Sequence, residues 1–436
     1  MIFALTLLAL LSSPPEPDLG KAVDAYVAPY VAYGAFSGVV LAAKGDRVLL
    51  EKAWGMASYE LAVPNTPATR FRIASITKRF TRIVMAKLAE EKKLSLSDPL
   101  SKYAPSFPKA DRITLDQLVN HRSGIRDPEK LRRVIPASYS PGEVVDLLAQ
   151  EPLGSEPGAV YSYTTANYAV LAFVIEKVTG RTFAEVVKQY VYDPAGMKDS
   201  GDIATAAVVP GLASGYMPDP YSDRGIAVSG PEDTSWKAGG GSGYSTARDL
   251  HRFLRAFYGR KLLGPSVDPS GLFEQEELFG RKVLQSSGSF PGASSQMSYF
   301  PQEDLAVVVL SNSSPPISGS IARSVAAMVL GQPYSNPSVP AGAGAKPVDP
   351  RLFGSWNLET INNPFRIETR HNRTVLSWNT ARQSAILRAG EDTYFVPYDW
   401  ATVVFRFSPD GSVEGTWTAP WSDRPLKVTR RAAEKG

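Results

Sequence analysis

The sequence predicts an α/β (α+β) domain, then a linker, then a small antiparallel β domain. Three observations carry this. From Leu19 to Leu330, helix-spaced apolar stretches are interspersed with short β-branched runs. Gly331 to Val348 (GQPYSNPSVPAGAGAKPV) is rich in Pro, Gly, Ala and Ser, the composition of a linker. Beyond it the chain turns to short strand-like runs with turn residues between them. The length of 436 residues suits two or three domain-sized units, and 43% hydrophobic with 21% charged residues is ordinary globular composition.

The elements follow in order. Ile2 to Leu11 is apolar and is followed by Ser12, Ser13, Pro14 and Pro15. It is too short to span a bilayer and reads as the core of a secretory signal peptide over residues 1–13, implying export to the periplasm or the exterior. No later stretch is long and apolar enough to cross a membrane. Leu19 to Tyr33 is helix-like, and Gly38–Ala43 with Val48–Trp54 reads as a hairpin around Gly45-Asp46. Ile76–Glu91 is a strong helix, and Asp116–Leu171 is helical pieces broken by Gly and Pro. Tyr168–Val178 is a helix closed by Gly180. Asp249–Tyr258 is a short helix, Met297–Phe300 and Leu305–Ser311 pair as strands, and Ile321–Leu330 is the last helix of residues 14–330. After the linker at 331–348, residues 349–436 offer strands at Phe365–Thr369, Thr374–Trp378, Ser384–Arg388, Thr393–Pro397, Thr402–Phe407 and Gly415–Thr418, with a turn at Asp410-Gly411.

Composition excludes several chemistries. There is no cysteine, which removes disulfides, thiolate metal sites and cysteine nucleophiles. Histidine occurs only at His121, His251 and His371, so a histidine-rich metal site or a Ser-His-Asp triad has few candidates. Of these, His121 reads as packing in its turn and His251 as solvated. A net charge of +4 without a dense basic run argues against nucleic acid. No G-x-S-x-G elbow, H-E-x-x-H or phosphate loop is present.

One pattern carries nucleophilic chemistry without histidine. Ser75-Ile76-Thr77-Lys78 opens the strong helix, and positions i and i+3 share a face, so Lys78 reaches the Ser75 hydroxyl. The helix N-terminus favours negative charge there, and a desolvated lysine can accept the serine proton. Alone, the spacing is a weak signal: Ser106 to Lys109 repeats it with Pro108 inside, and serine at a helix start is ordinarily a cap.

The surrounding segment Thr69 to Lys78 (TRFRIASITK) resembles the nucleophile segment of the serine β-lactamase and penicillin-binding-protein-like family, in the branch of class C β-lactamases, D-alanyl-D-alanine carboxypeptidases and related esterases. Leu118 to Ile125 (LVNHRSGI), Pro157 to Tyr163 with Asn167-Tyr168, Ala238 to Leu250 (AGGGSGYSTARDL), and Pro291 to Ser295 with Val307 to Asn312 resemble further segments of that branch, in the same order. The resemblance covers roughly Val23 to Leu330. It implies an antiparallel sheet flanked by helices, a helical subdomain inserted between early and late strands, and a cleft holding Ser75, Lys78 and Tyr163. It implies acyl-enzyme hydrolysis at Ser75, with Tyr163 as acid or base, its phenol lowered by Lys78, and no metal or organic cofactor.

Two positions depart from the family pattern. Thr165 stands where the family has the asparagine of Tyr-x-Asn, and Ser286-Ser287-Gly288 stands where it has Lys-Thr-Gly or His-x-Gly. A substrate-binding cation is thereby expected to be missing, with Thr165, Ser286, Ser287 and Gly288 facing substrate. The backbone N–H groups of Ser75 and Ser289 would form the oxyanion hole. Esters are the expected substrates, with β-lactams and D-amino-acid peptides as further small-molecule candidates. A protein that keeps the fold and binds penicillin or peptidoglycan fragments without turnover is the rival reading.

Overall fold

The computed structural model describes residues 18–431, apart from 129–137, 204–207, 223, 231–232, 266, 268–269, 316, 360, 379–381 and 423. The leader expected over residues 1–13 lies outside the described residues.

A six-stranded antiparallel sheet frames the first region. Its strands are β1 (Gly38–Lys44), β2 (Arg47–Trp54), β3 (Glu274–Leu278), β4 (Arg281–Phe290), β5 (Ala293–Phe300) and β6 (Leu305–Ser311), in the order β3-β4-β5-β6-β1-β2. Early and late chain thus meet at the β1–β6 pair, Gly38 opposite Ser311. Strand periodicity sends alternate residues to opposite faces. Val40, Ala42, Val307 and Val309 pack under α1 (Leu19–Ala32) and, from the far end of the region, Ile321 and Val325. Val39, Leu41, Val308 and Leu310 pack on the other face against Phe80, Ile83 and Phe253. These come from α2 (Thr77–Glu90) and from Ala247–Tyr258, and α3 (Ala166–Thr179) packs in the same core. α3 ends at Gly180, whose φ of 65° makes the left-handed cap the sequence suggested. Helix α4 (Ser318–Leu330) completes the α1 face. This is the antiparallel sheet, flanking helices and inserted helical subdomain that the resemblance implied.

Strand β3 was not among the expected strands. β3 reads Glu-Gln-Glu-Glu-Leu and is exposed from Glu274 to Glu277, as charged sheet edges are. His251 also differs from expectation. It is buried, and its Nε2 lies 2.9 Å from the Gly45 carbonyl, tying its helix to the β1–β2 turn.

The C-terminal region is a nine-stranded antiparallel sheet: β7 (Gly354–Leu358), β8 (Ile361–Arg370), β9 (Arg373–Ser377), β10 (Gln383–Ala385), β11 (Leu387–Arg388), β12 (Thr393–Val396), β13 (Ala401–Phe407), β14 (Val413–Thr418) and β15 (Leu426–Arg430). The order is β10-β9-β8-β7-β15-β14-β13-β12-β11. The two edge strands are separated in sequence by Ile386 alone, so the sheet curls nearly into a barrel around Trp356, Phe365, Phe405 and Trp417. The run Ser384–Arg388, expected as one strand, is two short ones. β7 and β15 were not anticipated.

The two regions are docked through an aromatic seam. Tyr30 of α1 lies 4.4 Å from Trp400, and Tyr33 meets both Phe395 and Trp400 edge-on. Tyr221 donates to Gln383 (2.7 Å) and Arg373 to the Pro220 carbonyl (2.6 Å). Val339 and Ala343 of the Pro/Gly-rich segment pack into the same seam.

Candidate active site

The turn that carries Ser75 is built by backbone geometry. Ala74 has φ of 46°, an uncommon conformation for a non-glycine residue, and Ala74–Ile76 forms a tight 3₁₀ turn that runs straight into α2. Thr77 Oγ1 donates to the Ala74 carbonyl (2.6 Å) and locks the turn. One helical turn on, Lys78 is buried. Its Nζ lies 3.1 Å from Ser75 Oγ and donates to the Gly240 carbonyl at 2.6 Å, above the rings of Tyr163 and Tyr168. Burial lowers this amine to about 7, against the opposing pull of the Asp127 carboxylate.

The carbonyl that anchors Lys78 comes from the glycine run. A Cβ at Gly239 would lie 2.6 Å from the Tyr168 carbonyl, and one at Gly243 would lie 2.8 Å from Thr77 Oγ1. Only glycines let this segment pass between α2 and α3. The sequence flagged the run but not what it holds.

Tyr163 stands just before α3 and donates to Ser75 Oγ at 2.7 Å. Its ring lies on His121, with centroids 4.5 Å apart. The His121 Nδ1 accepts from the Thr164 N–H (3.3 Å), and burial pushes the imidazole down to about 3. His121 is therefore a neutral platform under Tyr163, the packing role the sequence suggested. One expectation is corrected: Tyr163 is raised, not lowered. Burial pushes the phenol up to about 12, and the Ser75 hydrogen bond offsets this only in part.

Strand β4 forms the opposite wall. β3 pairs with it only from Arg281 to Gln285, so from Ser286 onward that edge is open toward the cleft. Ser287, Gly288 and Ser289 line the cleft with Ser75. A Cβ at Gly288 would lie 2.2 Å from the Ile73 carbonyl and 2.8 Å from the Ser75 nitrogen, so glycine permits the strand to close on the Ser75 turn.

Two expected substrate contacts are corrected. Ser286 is buried and points away from the cleft, accepting from Arg79 Nε at 2.9 Å. Thr165 stands at the start of α3 in helical conformation without a side-chain capping bond; its methyl faces Gly240, outside the cleft lining. The buried Arg79 brings a guanidinium to Ser286 from α2, and it also binds the Leu272 carbonyl (2.8 Å) and Glu274 (2.6 Å). No sequence spacing links Arg79 to Ser286; only the fold does.

Together these walls enclose a cleft of about 780 Å³ that also exposes Tyr161, Arg82 and Gln296. Among the described residues no group of three or more His, Asp or Glu side chains is placed to hold a metal.

A serine at a helix start, flanked by a buried lysine and a tyrosine hydroxyl under an antiparallel sheet, defines the class: a serine hydrolase. The chain belongs to the β-lactamase family, whose profile matches residues 23–331. A penicillin-binding protein of Bacillus subtilis is 25% identical over 414 residues, covering 86% of this chain and 91% of that protein. The teichoic acid D-alanine hydrolase of Staphylococcus aureus is 28% identical over 259 residues, 58% of this chain and 61% of the other. The chain spans about three fifths of the length of some curated relatives it matches, 58% in one case. The D-amino acid amidase of Ochrobactrum anthropi SV3, solved with D-phenylalanine, shares the fold with a TM-score of 0.64 at 24% identity, covering 72% of this chain and 99% of the other. Among the described residues no helix is long and apolar enough to cross a membrane.

Proposed function

We propose that the protein hydrolyses small acyl substrates through an acyl-enzyme on Ser75, with esters as the preferred class. The observation that carries this is the position of Ser75 Oγ, 3.1 Å from Lys78 Nζ and 2.7 Å from Tyr163 Oη. Near neutral pH a large share of Lys78 is free amine, while Tyr163 is a protonated phenol. The amine takes the Ser75 proton as Oγ attacks the carbonyl carbon. The carbonyl oxygen becomes an oxyanion, held by the backbone N–H groups of Ser75 and Ser289. Collapse expels the leaving group, which takes a proton from Tyr163, and Lys78 returns its proton to the phenolate. Water then attacks the acyl-serine, its proton passing to Lys78, and Ser75 leaves reprotonated.

Ester preference follows from the strand wall. Ser286 is turned to Arg79 and Thr165 lies outside the cleft, so neither offers the contact on which an amide or β-lactam substrate of this family would depend. An activated ester needs less from the site because its leaving group departs readily. The teichoic acid D-alanine hydrolase among the relatives, together with the apolar stretch Ile2–Leu11, supports action outside the cytoplasm on a cell-envelope acyl group.

The test is a hydrolysis panel of short-chain p-nitrophenyl esters, nitrocefin and D-amino-acid peptides, run on native protein and Ser75→Ala. Ester kcat/KM should exceed the other two, and Ser75→Ala should abolish all turnover. Fast nitrocefin cleavage without ester cleavage would reverse the preference. Binding of penicillin without any turnover would favour a non-catalytic binding protein.

A further inference from the structure

Four charged side chains line the cleft with Ser75: Lys78, Arg79, Arg82 and Glu274. The three cations are all engaged. Lys78 holds Ser75 and the Gly240 carbonyl. Each nitrogen of the Arg79 guanidinium has an acceptor: Ser286 Oγ, the Leu272 carbonyl and Glu274 Oε1. Each nitrogen of Arg82 has one as well: Tyr168 Oη (2.7 Å), the Gly271 carbonyl (2.9 Å) and the Val119 carbonyl (2.8 Å).

Glu274 differs. Its Oε1 accepts from Arg79 at 2.6 Å, its side chain is 62% exposed, and its Oε2 makes no hydrogen bond among the described residues. It stands at the start of β3, where that strand stops covering β4 and the cleft opens. The Arg79 side chain behind it is only 7% exposed, so the guanidinium holds one oxygen of an exposed carboxylate that lines the cleft. A carboxylate pre-set in this way needs little ordering to accept a charge-assisted hydrogen bond.

We propose that Glu274 is a specificity-determining residue that receives a substrate ammonium group, so that the hydrolase selects aminoacyl esters over acyl esters lacking the amine. This rests on the ester chemistry assigned to Ser75. It adds what that chemistry leaves open, the charge carried by the acyl group. An ammonium at Oε2 would share the carboxylate with Arg79, completing a cation–carboxylate–cation row. The nearby guanidinium weakens the local field, so the selectivity is expected to be about tenfold, the scale of one charge-assisted hydrogen bond.

The experiment compares three phenyl esters at pH 7: D-alaninate (cationic), propionate (its neutral isostere) and hydrogen succinate (anionic). Each kcat/KM is divided by the ester's spontaneous hydrolysis rate, which removes intrinsic reactivity. The native protein should favour alaninate over propionate by about tenfold. Glu274→Gln, which keeps an oxygen for Arg79, should bring that ratio to near one. A native ratio at or below one overturns the assignment without any variant. So does a ratio that Glu274→Gln leaves unchanged, or a native preference for succinate, which would make Arg79 an anion site. Labelling of Ser75 by a neutral phosphonate separates the two readings. No label and no propionate turnover means the Ser75 chemistry is wrong. Label and turnover without charge selectivity means only the Glu274 assignment is wrong.

Discussion

Around Ser75 the protein buries Thr77, Lys78, Arg79, Thr81, His121, Asn167 and Ser286. In the C-terminal sheet, the buried polar or charged side chains among the described residues are Ser377, Ser384 and Asp399, and Asp399 is matched by Arg382 and Trp378. The rest of that core is aromatic and aliphatic, with Trp356, Trp417, Tyr394 and Phe365 fully enclosed. Burying a polar or charged group is costly unless it is partnered, and an unpaired charge costs the most. The first region therefore carries strain and charge that folding alone would not select. The second is organised like a part whose task is to hold together and to cover the α1 face. The difference separates residues that should alter chemistry from residues that should alter stability.

Four substitutions sharpen or break that division. The largest effect is expected of Ser75→Ala, which should lower ester kcat/KM by about 10⁴-fold or more while leaving the thermal midpoint nearly unchanged. Lys78→Met should lower it by about 10³-fold, as loss of a general base does. It should also raise the melting temperature at pH 7. The amine falls from 10.5 to about 7 on folding, so its penalty is complete below about pH 7 and is relieved between there and pH 10.5. Thermal melts at pH 6 and pH 10 check the sign: the gain over native should shrink at the higher pH. Tyr163→Phe keeps the ring on His121 but removes the proton donor, for about a 10²-fold loss in kcat. The smallest effect on chemistry should come from Trp400→Ala. It removes the ring packed on Tyr30 and Phe395, so stability should fall by about 3–5 kcal/mol with kcat/KM of the folded protein unchanged. A tenfold loss of kcat/KM in well-folded Trp400→Ala would show that the seam reaches the cleft.

What was readable in the sequence follows the same division. Ser75 and Lys78 were legible because one helix sets their spacing, and Tyr163 because a local segment carries it. The helices α1 to α4 and the β1–β2 hairpin were legible from periodicity and turn residues. The glycine run was visible, yet its use as the anchor for Lys78 depends on a contact across 162 positions. The Arg79–Ser286 contact spans 207 positions and has no local signature. The direction of the Tyr163 shift was misread because proximity to a lysine suggests a lowering field, whereas burial of the phenol itself is the larger effect. β3 lacked any apolar alternation because it is a solvated edge, and it carries Glu274. Residues 349–436 yielded six strand runs, but the pairing that curls them into a near-barrel is non-local.

The central claim is that Ser75 is a nucleophile activated by a lysine kept neutral through burial. Intact-mass spectrometry of phosphonate labelling, followed as a rate against pH, tests it most directly. The account predicts one adduct per chain, absent in Ser75→Ala, with a labelling rate that rises through a midpoint near pH 7 as Lys78 loses its proton. The rate should then hold level through pH 10, because Tyr163 stays protonated until about 12. An adduct that persists in Ser75→Ala, or a rate that stays flat from pH 5 to pH 9, would contradict it.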